Sequence, residues 1–219
     1  MGFWDWLSGK LKPVEAADVI WLTPNARRGG VLAALQQELD RAPLVLALAH
    51  FPATLVRLAE DCDGAALPHF FHQATLTAGD LARLARTGPA RILLTLAETL
   101  APEPTPADVD AAAAALPIIV VERHFLRAHD DQVCRFAAGL GRQCRVSFHL
   151  SLGDPLMRRF SGDWVQGVLA RLGMKESDAL ESPMVARRVK AAQDQFARLV
   201  THEQSAEGPE EWLRLNVPE

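Results

Sequence analysis

The sequence predicts an α/β fold, a parallel sheet covered by helices on both faces, with a helical extension at its C-terminal side. Two observations predict it. From Asp18 to about Leu150, short runs rich in aliphatic and β-branched residues alternate with helix-like stretches, the pattern of parallel strands joined by crossover helices. From Asp154 onward the strand pattern stops and helical stretches follow. With 219 residues, of which 49% are hydrophobic, the chain can bury a full-sized core.

The elements read in order. Val19 to Thr23 is the first strand, and Val31 to Arg41 a helix carrying Leu32, Leu35 and Leu39 on one face. Leu44 to His50 is the second strand, and a helix over residues 53–61 closes near Gly64. A weak strand at His69 to Phe71 leads to Thr77, an N-cap with Asp80 three residues on, and that helix ends near Gly88. Arg91 to Leu96 is a buried strand, followed by a stiff connection through Pro102, Pro104 and Pro106, in which Thr105 caps an alanine-rich helix. Ile118 to Val121 has the β-branched run of a central strand. Arg145 to Leu150 is the last strand, and three helical stretches follow, the third opened by Ser182 and Pro183. The boundaries that result are an amphipathic segment over 1–15, the α/β domain over 16–153, the helical extension over 154–204 and a loose polar tail over 205–219.

Composition narrows the function. A net charge of −4, from 23 basic and 27 acidic residues, offers no concentrated basic face to nucleic acid. Cys62, Cys134 and Cys144 are too few and too irregularly spaced for a disulfide framework or a C-x-x-C metal site, which fits a reducing cytoplasm. The longest apolar runs are strand-sized, far below the roughly 20 residues a membrane helix needs. Asp5 and Lys10 interrupt any secretory apolar stretch, and Trp6 stands where a myristoylation motif wants Ser or Thr. Phe3, Trp4, Trp6, Leu7 and Leu11, flanked by Lys10 and Lys12, can form a short aromatic face that lies on a membrane or a partner, or folds back on the domain.

The usual chemistry of such folds is missing. Ser8-Gly9-Lys10 follows no strand, and Arg28-Gly29-Gly30 has neither the spacing nor the lysine of a phosphate loop, so both read as turns. His69 and His72 lack a third ligand nearby and read as a polar strand end rather than zinc ligands. Cys134 and Cys144, though close in sequence to His124 and His129, read as small buried packing. No Gly-x-Ser-x-Gly elbow occurs. No metal, no cofactor and no catalytic residue is expected.

One stretch carries a resemblance. Glu122-Arg123-His124, Arg127, Asp130 and Gln132, then Phe148-His149-Leu150-Ser151-Leu152, Asp154 and Leu156-Met157-Arg158-Arg159-Phe160 resemble the SecA preprotein translocase ATPase, with unbroken spacing from Glu122 to Arg159. In SecA this is the end of the second RecA-like motor domain. Gly162-Asp163, Val165, Glu181-Ser182, Met184 and Ala192-Gln193 look like the entry to its helical scaffold. The resemblance implies a three-layer RecA-like fold; the N-terminal half matches only in layout.

The departures imply lost catalysis. SecA carries a Gln-x-x-Gly-Arg-x-Gly-Arg segment whose arginines stabilise phosphate charge. Here Gln132 is kept, but Phe136 and Gly139 stand at the arginine positions; a three-residue slip rescues Arg142 alone. The family's Thr-Asn-x-x-Gly-Arg-Gly-Thr-Asp loop is replaced by Leu96-Ala97-Glu98-Thr99-Leu100-Ala101-Pro102 after Thr95, and a chain this short has no counterpart of the first motor domain. Losing one finger costs about three powers of ten in rate, so autonomous ATP hydrolysis is not expected. The first reading is a non-catalytic SecA-motor-like interaction module, its partner a translocase component or another ATPase, in the cytoplasm or peripheral to the inner face of the membrane. A second has Arg142, with Gln132 and Arg127, complete a nucleotide site in trans. A third is a membrane-surface adaptor acting through residues 1–12. Glu122, Arg123, His124, Asp130, Asp154, Leu156, Met157 and Arg158 are the family-matching residues, and for Glu122, Arg123, His124 and Arg127, charged side chains at a strand's end, an internal ion-pair network competes with a ligand role.

Overall fold

In the computed structural model, the described residues are 14, 16–102, 115–161, 175, 178–179 and 183–217. Phe3, Trp4, Trp6, Leu7 and Leu11, Ser8-Gly9-Lys10, the Thr105 cap with its alanine run, Gly162, Asp163, Val165, Glu181 and Ser182 lie outside them. Six strands form one parallel sheet: β1 Ala16–Trp21, β2 Leu44–Ala49, β3 His69–Phe71, β4 Arg91–Leu96, β5 Leu116–Val120 and β6 Cys144–Ser151, in the order β1-β6-β5-β2-β4-β3. Among the described residues the helices are α1 Pro24–Leu39, α2 Pro52–Gly64, α3 Ala78–Arg86, α4 Arg127–Gly139, α5 Pro155–Ser161, α6 Pro183–Leu199 and α7 Pro209–Asn216.

Every residue of β2 is buried, because this strand is covered on both sides. Val45, Ala47 and Ala49 face Leu35 of α1 and Leu58 and Cys62 of α2. Leu44, Leu46 and Leu48 face Leu81 of α3 and Val133 and Phe136 of α4. This is the three-layer RecA-like α/β architecture. A third apolar cluster gathers at the carboxyl ends of the strands, where Ile20, Phe51, Phe125 and Leu150 meet Leu156 of α5, Phe196 of α6 and Trp212 of α7. The helical extension therefore shares a core with the sheet.

The differences from expectation have local causes. Thr23 is a helix cap rather than the end of β1: its side chain accepts from Ala26 N–H at 3.1 Å and Pro24 occupies the first turn. Helix α1 thus begins seven residues before Val31 and contains Gly29 and Gly30, which are not a turn. Gly30 is there for packing, since a Cβ would sit 2.0 Å from the Trp21 ring. The Thr77–Asp80 capping box forms as read. The tail is not loose. Pro209, Glu210 and Glu211 start α7, and Trp212 is 1% exposed. Counting its polar residues hid one aromatic anchor whose burial outweighs them.

Candidate functional site

In open parallel sheets ligands lie beyond the carboxyl ends of the strands, where neighbouring strands send their helices to opposite faces. Here that point is between β2 and β5, because β2 leads to α2 on one face and β5 to α4 on the other. Glu122, just beyond β5, reaches across it. Its carboxylate accepts from His50 N–H at 3.0 Å, Phe51 N–H at 3.1 Å and the Thr54 hydroxyl at 2.9 Å. Phe51, the N-cap of α2, makes no side-chain cap of its own, so a residue far along the chain caps this helix. Burial pushes the Glu122 carboxyl up, against the pull of His50, Arg27 and its hydrogen-bond donors.

A second carboxylate organises the start of α4. Asp130 lies 2.9 Å from His50 Nε2 and 3.1 Å from Arg123 Nη1, and accepts from His124 N–H at 3.2 Å and Gln193 Nε2 at 2.6 Å. Burial alone would raise its pKa, but the His50 and Arg123 contacts and the Gln193 hydrogen bond hold it below the usual range. Arg123 also binds Asp18 on β1 and lies 3.6 Å above the centre of the Phe148 ring. Asp154 accepts from Ser151 N–H at 2.7 Å and from Arg27 at 2.8 Å; burial raises its pKa, countered by Arg27 and Ser151.

Beside these, a cavity of about 220 Å³ opens among Arg27, Thr54, Arg57, Glu122 and Asp154, with Gly208, Pro209 and Glu210 forming part of its wall. Glu203 is the hub of a neighbouring cluster. It accepts from Trp212 Nε1 at 2.8 Å, faces His129 Nε2 at 2.8 Å and lies 3.4 Å from His124 Nε2. His124, His129 and Glu203 offer ligand atoms within 4.8 Å of one another. His124 Nδ1, however, accepts Leu126 N–H at 3.0 Å, which puts the ring proton on Nε2 and leaves no lone pair there for a cation. Burial, and then repulsion from His50 and His129, pushes His124 down to about 2, so this ring stands neutral beside Glu203. The donor set fits a hydrogen-bonded clamp better than a metal.

The residues read as a nucleotide site do not meet. Arg127, half-exposed at the amino end of α4, pairs with Asp131 and Asp194, each at 3.7 Å. Gln132 donates to Leu100 O at 3.3 Å. Arg142 lies past the other end of α4, in the turn that enters β6, and so stands at the amino edge of the sheet, away from the carboxyl-end crevice. Phe136 and Gly139, at the positions of the pattern's arginines, are buried. After β4 the chain makes a short turn over Ala97–Thr99, tied by the Thr95 hydroxyl to His72 O at 2.6 Å and to Thr99 at 2.8 Å.

The family-matching residues do converge. Glu122, Arg123, His124 and Asp130 form one network with Asp154 nearby, and Leu156 and Met157 fill the apolar cluster beneath, while Arg158 is exposed. His50, Gln193, Glu203 and Trp212 complete the site without having been assigned roles in it. Pro209 followed by Glu210 and Glu211 ahead of Trp212 is a helix-start signal that marks the last of them; His50 and Glu203 had no comparable signal.

The family model for the SecA P-loop domain matches residues 97–177. The protein translocase subunits SecA of Xanthomonas campestris pv. campestris (strain B100) and Xanthomonas oryzae pv. oryzae (strain PXO99A) are each 43% identical over 86 residues, which is 39% of this chain and 9% of either relative. The chain therefore contains a SecA-like region and matches about a tenth of the length of those relatives. A solved structure, the C-terminal part of the Fun30 ATPase domain, aligns over 76% of this chain and 54% of its own, with a TM-score of 0.37 and 16% identity. Among the described residues no helix is long and apolar enough to cross a membrane.

Proposed function

We propose that this chain is a non-catalytic, SecA-motor-like interaction module that serves protein translocation by docking on a translocase component or another ATPase at the cytoplasmic face of the membrane. The observation that carries the reading is the carboxyl half of α4, where buried Phe136 and Gly139 stand in place of the arginines of the SecA pattern. The Ala97–Thr99 turn in place of a glycine-rich loop supports it further. At the crevice where this architecture holds its ligands, the carboxylate of Glu122 takes the hydrogen-bond donors at the start of α2.

Calorimetric titration with magnesium and ATP or ADP tests the reading: no heat up to millimolar nucleotide is expected, and micromolar binding would overturn it. Capture of translocase components by the immobilised full chain is the positive half of the test. If Arg142→Ala abolished ATP turnover by a captured partner, the shared-site reading would replace this one. Co-sedimentation with anionic vesicles, comparing the full chain with one lacking residues 1–12, decides whether the N-terminal aromatics carry membrane contact.

A further inference from the structure

We propose that residues 203–217 form a strap that opens as a unit about residues 200–202, and that the cradle it leaves receives a helix presenting one aromatic ring and one acidic side chain. The strap closes on itself. Gln204 N–H donates to Asn216 Oδ1 at 2.6 Å, Asn216 Nδ2 returns to Gln204 O at 2.9 Å and to Trp212 O at 3.0 Å, and Gln204 Nε2 reaches Leu215 O at 3.3 Å. Its polar backbone is thus largely satisfied internally, whether or not it touches the domain.

Its hold on the domain comes from a few side chains. Trp212 stacks on Phe125 with ring centres 4.4 Å apart and planes 6° from parallel, and meets Phe196 and His124 edge-on. Glu203 bonds His129 and lies beside His124, and Ala206, Leu213 and Val217 pack, partly buried, on the same apolar cluster as Trp212. Ala53 N–H donates to Glu207 O at 2.8 Å. A segment that keeps its own hydrogen bonds and has one large, fully buried ring as its anchor has the form of a locally opening unit. When closed, its Gly208, Pro209 and Glu210 wall the cavity that contains Arg27 and Arg57. The strap is itself the first occupant of the cradle, and the chemistry by which it fits defines what replaces it. The inference deepens the interaction-module reading by naming the surface, and it rests on that reading only for there being a partner in trans.

A reversible staple tests it. A Cβ on Gly208 would lie 3.8 Å from that of Ala53, the usual separation in a disulfide, and Gly208 has an extended φ of −153° that any residue adopts. The Ala53→Cys, Gly208→Cys chain should therefore oxidise with the strap closed. The native thiols compete poorly: burial pushes Cys62 and Cys144 up to about 11 and raises Cys134 as well. A fluorescent synthetic peptide of residues 203–217 is then titrated, by anisotropy, against the full-length chain in three forms. Binding is expected to the reduced staple variant, to vanish on oxidation and to return with reductant. Full-length Trp212→Ala, its own strap loosened, is expected to bind the peptide about tenfold more tightly or better, because a larger fraction of molecules offers an empty cradle. Failure of the staple to form, binding that oxidation leaves unchanged, or no binding to either wild type or Trp212→Ala would each overturn the proposal. None of these outcomes bears on nucleotide binding, so the strap and the non-catalytic reading fail separately.

Discussion

The two ends of helix α4 lie within one SecA-like region and have opposite characters. At the amino end Asp130, Arg123 and His124 match the SecA pattern and are joined by His50 and Gln193 in a dry network. At the carboxyl end Phe136 is packed against the sheet, Gly139 is buried, and Arg142 sits in a turn. The contrast teaches that a charged residue matching a motor protein can be held by the demands of folding. Removing a member of the amino-end network strands buried charges, whereas Phe136 and Gly139 carry no charge to strand.

Substitutions should widen that contrast. Asp130→Ala removes the buried carboxylate that His50 and Arg123 share, leaving Arg123 with Asp18 alone, and is expected to cost about 3 kcal/mol in urea unfolding; a loss under about 1 kcal/mol would mean the network is solvated. Glu122→Ala strands the donors of His50, Phe51 and Thr54 and is expected to cost about 3 kcal/mol, with Glu122→Gln recovering part of it.

Acid should act at the carboxyl-end side of the sheet as well. Burial, and then the charge of Arg27, pushes His149 down from 6.5 to about 4. Its neutral form costs nothing above pH 6.5. As the pH falls from 6.5 towards 4 the unfolded chain takes up a proton that the native state refuses, and stability drops by up to roughly 3 kcal/mol. Urea midpoints measured across that window should fall less steeply in His149→Asn, and an unchanged slope would remove His149 from the account. His124 is depressed in the same direction, so some slope persists. At the small end, Thr77→Ala should cost about 1 kcal/mol through loss of the capping box.

Most of the fold was legible because periodicity and caps are local. β3 and β4 lie where their residues placed them, and Thr77 caps α3 with Asp80 as read. Where the reading slipped, a tertiary contact decided. Gly29 and Gly30 look like a turn until Trp21 is seen lying against α1, and residues 205–219 look polar until Trp212 finds Phe125. The site was half legible. Glu122, Arg123, His124 and Arg127 stood out because charged residues at a strand's end need partners, and an internal network was one of the readings; Arg127 lies half-exposed outside it, and Asp130 was marked only by the resemblance. The partners themselves, His50 far upstream and Gln193 and Glu203 downstream, are brought in by the sheet order and by α6, which no local pattern specifies.

The carboxylate at the start of α2 has a consequence for anything that would bind there. Glu122 is tethered at contact distance, so it competes for those donors as an intramolecular group, with an effective concentration on the order of millimolar even for a flexible tether and higher for a rigid one. An incoming anion would first have to displace a group that never diffuses away.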